Sequence, residues 1–135
     1  MPEQQTVERA RRDKAEGKAP STQAGEFVRE EMHHIRGGKH GARSAKQAIA
    51  IGLSKARRAG VKLPPPRKGT VSEKTRRSAE RAYRKGQNRL RKAPSRKRSR
   101  ARLHALKREG REAASFKSLS RQARSAARKR RSARA

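Results

Sequence analysis

The sequence predicts a mostly α-helical protein: a small antiparallel two-helix hairpin over residues 21–63, a Pro-rich linker over 64–69 and a long Arg/Lys-rich tail over 70–135, helical or partly disordered. A polar segment at 1–20 leads into it. Three observations carry this reading. Apolar residues recur at spacings of three and four in two neighbouring stretches, the period of an amphipathic helix. Glycines and prolines punctuate the boundaries between them. The chain also holds 41 Lys+Arg against 11 Asp+Glu, a formal net charge of +30, with 30% hydrophobic and 2% aromatic residues. That is too little apolar material for one large core, and self-repulsion opposes compaction.

Taken in order, residues 6–16 allow a frayed, loosely attached helix ended by Gly17 and Pro20. Ser21 or Thr22 is expected to cap a firmer helix reaching about Arg36. Ala24, Phe27, Val28, Met32 and Ile35 form its apolar side, and Glu26, Arg29, Glu30, His33 and His34 its outward side. A Gly-rich turn follows. Ser44 and Gln47 then read as a capping box, and Gly60 as a left-handed C-cap. The stripe between them is Ala45, Ala48, Ile49, Gly52, Leu53, Ala56 and Ala59, small enough for close backbone approach. Val61 and Leu63 can fold back over the open end before Pro64, Pro65 and Pro66 stiffen the chain. Thr70 and Glu73 suggest another capping box, for a helix with Ala79, Ala82, Tyr83 and Leu90 that Pro94 ends. Ser95 caps a further helical stretch containing Leu103, Leu106, Phe116 and Leu119.

The charge is unevenly placed. Residues 1–36 carry seven acids and seven bases, residues 37–69 nine bases and no acid, and residues 70–135 twenty-five bases and four acids. The excess therefore begins at Gly37. It calls for a polyanion, with DNA first and RNA second. A membrane ranks below both, because the basic helices lack the Trp/Phe/Leu face that insertion requires. Self-association stays open for so small a core. There is no cysteine, so thiolate metal sites and disulfides are excluded. His33, His34 and His40 with Glu30 match no standard zinc spacing, so no metal is assigned. The glycine turn lacks the Gly-Lys-Ser/Thr of a phosphate-binding loop, and no nucleophile or paired-carboxylate pattern stands out. No enzyme and no cofactor are expected. No apolar run reaches signal-peptide or membrane-span length, so the expected place is the cytoplasm, at the nucleoid.

Candidate contacts fall in three groups. Lys39, His40 and Arg43 surround the N-terminus of the second helix, where free N–H groups suit an anion. Its face opposite the apolar stripe carries Gln47, Ile51, Ser54 and Arg58, flanked by Lys46, Lys55 and Arg57. That face can grip phosphates or, less in keeping with its seven-residue preceding loop, read a major groove. Arg67 and Lys68 follow the prolines, and Arg98, Arg100, Arg102, Arg128, Lys129, Arg130 and Arg131 supply the tail. Arginine's planar fork also permits bidentate phosphate contacts and entry into a narrow minor groove.

Residues 21–68, STQAGEFVREEMHHIRGGKHGARSAKQAIAIGLSKARRAGVKLPPPRK, resemble a family of small uncharacterised bacterial proteins. That family is a domain of unknown function whose members are sometimes labelled plasmid-stabilisation or DNA-binding proteins. The tail from Arg76 onward resembles the basic tails of linker-histone-like bacterial proteins, though it favours Arg over Lys. The combined expectation is a non-enzymatic, nucleoid-associated, histone-like DNA-binding protein of low sequence specificity, linked to plasmid or chromosome maintenance. In that picture the first helix, with Glu26, Glu30 and Glu31, faces away from the duplex. An RNA- or ribosome-associated basic protein is the alternative.

Overall fold

A computed structural model describes residues 3–88 and 95–134; the sequence features at Leu90 and Pro94 lie outside the described residues. The protein is mostly helical, with six α-helices and no strand among the described residues. They are α1 (Gln4–Ala15), α2 (Pro20–Arg36), α3 (Ala45–Arg58), α4 (Glu73–Gln87), α5 (Arg96–Lys107) and α6 (Phe116–Arg134), with a 3-10 turn at Glu112–Ala114. The chain forms two compact units. One draws its described residues from Met1–Glu31 and Ala50–Ala93, the other from Met32–Ile49 and Pro94–Ala135. Helices α2 and α3 each supply both.

In the first unit α1 is an attached helix, not the loose one expected. Thr6, Ala10 and Asp13, spaced four and three apart, are buried. The Glu3 N–H donates to Glu30 Oε1 at 2.5 Å and the Thr6 hydroxyl to the same oxygen at 3.1 Å. Helix α2 begins one residue before the Ser21/Thr22 cap predicted for it. Pro20 takes the first helical position, where its fixed φ is suited and its missing N–H costs nothing. The amides of Thr22 and Gln23 close on the Ala19 carbonyl at 3.0 and 3.1 Å.

The core of this unit gathers Ala10, Ala24, Phe27, Ala56 and Val61, with Val7, Leu53, Ala59 and Leu63 packed at its edge. Phe27, 1% exposed, is its one large side chain from α2, worth about 2–3 kcal/mol by removal from water. Small residues do the rest by closing distance. A Cβ on Gly52 would lie 2.7 Å from Val28 Cα, so this position admits only glycine without a shift.

Glu30, assigned to the outward side of α2, is instead inside, and so is its neighbour Glu31. Glu30 and Glu31 are buried, and Lys55 of α3 ion-pairs with Glu31 and lies 3.9 Å from Glu30 Oε2. A carboxylate leaves water only when charge and hydrogen bonds replace it; Lys55 brings charge to both acids, and the Glu3 amide and Thr6 hydroxyl bond Glu30.

The chain leaves α3 through a Schellman turn. Val61 N–H reaches the Ala56 carbonyl at 3.1 Å, Gly60 N–H reaches that of Arg57 at 3.1 Å, and Gly60 has φ +102°. The following segment is held back by Arg57, whose Nε and Nη2 donate to the carbonyls of Leu63 and Pro64 at 3.2 and 3.1 Å. Helix α4 is capped by Ser72, not Thr70. The Ser72 hydroxyl accepts from Thr75 N–H at 3.2 Å, while the Thr70 hydroxyl turns back to the Arg67 carbonyl. Ala79, Ala82 and Gly86 form its buried side.

In the second unit the end of α2 is again a Schellman turn, with Lys39 N–H on His34 and Gly38 N–H on Ile35. The buried apolar residues are Met32, Ile35, Ala42, Ala45, Ala48, Ala113 and Ala114. Ser44 caps α3 as expected, but Gln47 reaches past it to the Arg43 N–H at 2.6 Å. The helix expected to run on from Ser95 is broken. Ser95 caps α5, the chain turns through Glu112–Ala114, and Ser115 caps α6 by accepting from Ser118 N–H at 3.1 Å. The break is fixed from a distance: Gly41 N–H bonds the Leu106 carbonyl and Ala42 N–H that of Gly110.

Candidate nucleic-acid interface

The candidate residues divide by environment. Within the second unit, Lys39, Arg43 and Lys46 are exposed, and so are Arg98, Arg100, Arg102, Arg128, Lys129, Arg130 and Arg131. Within the first, Arg58, Arg67 and Lys68 are exposed. Four candidates are otherwise engaged. His40 is buried, its Nδ1 2.9 Å from the Gly41 carbonyl and its ring edge-on to that of His34 at 5.9 Å. Arg57 is buried on two carbonyls, and burial pushes its guanidinium below the usual arginine value. Lys55 is held by the buried carboxylates. Gln47 is half-buried and spent on the turn.

The glycine turn that precedes α3 is bonded internally. Its amides are bonded within the protein: Gly38, Lys39, Gly41, Ala42 and Arg43 each donate to an internal acceptor. At the start of α3 the Gln47 N–H goes to the Ser44 hydroxyl, and Lys39, Arg43 and Lys46 stand exposed around it.

Residues 95–134 hold sixteen Lys and Arg against only Glu109 and Glu112. All sixteen are exposed, and none ion-pairs with another described residue. The contrast with α4 is direct. There Glu73 pairs with Arg76 at 3.0 Å and Glu80 with Arg84 at 2.7 Å, so part of the basic charge is answered along the same helix. Helices α5 and α6 bury no residue. Serines and alanines alternate with arginine there, which gives good helix formers but no apolar stripe wide enough to sink the helix.

Phe116 is not interior to a tail helix, as its apolar neighbours in the sequence suggest. It opens α6 with 84% of its surface exposed. The Arg36 guanidinium carbon lies 5.1 Å from its ring centroid, and Arg36 Nε donates to the Ala114 carbonyl at 3.0 Å. The local signal for this placement is Ser115 followed by Ser118: a second N-cap at that point puts Phe116 at a helix start instead of midway along a helix begun at Ser95.

Fold and charge together define a helical, strongly basic protein whose residues 95–134 carry sixteen exposed bases against two acids. Residues 3–68 match the model of a family of unknown function (DUF6496), a little under half of the chain. The match begins at residue 3 and so takes in α1, in keeping with the burial of Thr6 and Ala10 in the first unit. No curated protein and no solved structure matches the chain. No described helix is long and apolar enough to cross a membrane.

Proposed function

We propose that this is a non-enzymatic, nucleoid-associated DNA-binding protein of low sequence specificity, acting in chromosome or plasmid maintenance. The observation that carries the proposal is the set of sixteen exposed bases along residues 95–134, opposed by two acids. Charges left unpaired within the protein are available to a phosphate backbone, whose condensed counterions are released when Lys and Arg replace them. Exposed Lys39, Arg43 and Lys46 add to the same unit's field. Gln47, the α3 side chain best suited to reading a base edge, is occupied at the turn, which favours phosphate contact over sequence readout.

A salt titration of binding to duplex DNA tests the reading. Engagement of about ten phosphates gives a log–log slope near −9; a slope near zero contradicts the mechanism. Crosslinking in cells with sequencing of attached DNA and attached RNA decides between the two polyanions, and recovery of RNA alone replaces DNA by an RNA- or ribosome-associated role.

A further inference from the structure

We infer that Phe116, backed by Arg36, is a stacking platform for an exposed nucleobase. The inference rests on the polyanion reading above and adds a base-contacting residue to it. Of the chain's two phenylalanines, Phe27 is 1% exposed in the core and Phe116 is 84% exposed. The exposed ring also has a cation set against it, 5.1 Å from its centroid. Ser115 caps α6 immediately before it, and the guanidinium behind it is pinned by the Arg36 Nε bond to Ala114.

The surroundings select the ligand. A lipid surface or an apolar protein patch needs contiguous apolar area. Around Phe116 the alanines at 113 and 114 are buried and Leu119 is half-buried, while Lys117 is exposed beside it. The Arg36 guanidinium stands over the ring. A lone ring among cations fits a nucleotide, which brings a π-face for the ring and a phosphate for the bases.

The test uses the full chain with Phe116→Trp, which introduces its only tryptophan. A short oligodeoxynucleotide, an oligoribonucleotide and a linear polyphosphate of matched charge are titrated against it. Stacking quenches the indole emission with the oligonucleotides and leaves it unchanged with polyphosphate. Quenching by one strand type alone names the source of the base. In parallel, Phe116→Ala weakens oligonucleotide binding about tenfold, as removal of one base–aromatic stack does. It leaves polyphosphate affinity and the salt slope as they were. Oligonucleotide binding with unquenched tryptophan overturns the platform and spares the electrostatic reading; binding to no polyanion overturns both.

Discussion

The backbone N–H of Gly41 donates across 2.8 Å to the carbonyl of Leu106, and the carbonyl of Glu109 lies where a side chain on Gly41 would have to go. The Gly-rich turn before α3 is thus a backbone-to-backbone joint that fixes where α5 stops. Its glycine is chosen for distance: an added Cβ would sit 2.1 Å from the Glu109 oxygen and 2.5 Å from that of Gly110. Backbone atoms on the far side cannot swing away as a lysine tip could.

Gly41→Ala is therefore expected to open this joint, costing about 1–3 kcal/mol, as forced overpacking does. Hydrogen exchange at the Ala42 amide, which bonds Gly110, reads it directly. Gly110→Ala is the control, since a Cβ there meets nothing within 4 Å. Equal protection in both variants would show that the joint is not tight.

A second pair of glycines separates packing from propensity. Gly86 of α4 is buried, and its Cβ would fall 1.7 Å from the Arg57 carbonyl oxygen and 3.1 Å from Gly60 N. Gly25 in α2 is exposed with open space around it. Gly86→Ala should lower the thermal midpoint of the first unit. Gly25→Ala should raise it, by the roughly 0.5–1 kcal/mol that alanine gains over glycine within a helix. Opposite signs from one substitution are the expected outcome in thermal melts followed by circular dichroism.

The features legible in the sequence are local ones. The stripe Ala24, Phe27, Met32 and Ile35 is buried, as are Ala45, Ala48 and Ala56, because a 3.6-residue period needs only the neighbours along the chain. Gly60 and Ser95 end and begin helices where expected, because caps are set within a single turn. What escapes depends on residues far away. Nothing near Glu30 says that it will be buried; its partners Glu3, Thr6 and Lys55 lie 24 to 27 positions off. The first helix is weakly signalled because Thr6, Ala10 and Asp13 carry little hydrophobicity, and its anchorage is largely polar. The break after α5 is dictated by Gly41 and Ala42 from the other end of the unit. The candidate phosphate contacts share this dependence, since a sequence cannot show that Arg57 has turned inward onto two carbonyls.

The acid side of the pH scale has a defined response at the start of α4. Arg76 hydrogen-bonds Glu73 and holds its carboxyl below the usual carboxylate value. A depressed folded-state pKa means that the unfolded chain binds the proton first. The stabilisation is complete above the ordinary carboxylate pKa and is lost as pH falls through the lower, folded one. Both groups are at the surface, so the effect is local fraying of the first turn of α4. In an NMR titration the Glu73 side chain should change protonation below the usual glutamate range, and Arg76→Gln should restore it to that range. An unmoved midpoint in the variant would assign the shift elsewhere.

The sharpest separation lies between basic residues that look alike in the sequence. Arg57 is buried and bonds Leu63 and Pro64, whereas Arg128, Lys129, Arg130 and Arg131 are exposed on α6. Arg57→Met keeps much of the side chain's bulk but leaves two carbonyls without their donors, which costs about 1–3 kcal/mol in stability. Because Arg57 faces inward, the salt dependence of DNA binding should not change. Replacing residues 128–131 together by alanine should do the reverse. Alanine favours the helix, so folding is preserved, while the log–log salt slope becomes shallower by about 3 to 4, near 0.9 for each phosphate no longer neutralised. Urea unfolding and salt-dependent DNA binding, measured on both variants, give four numbers with a required pattern. A shallower slope in Arg57→Met, or an unchanged one in the α6 variant, would mean that the cationic face has been drawn on the wrong residues.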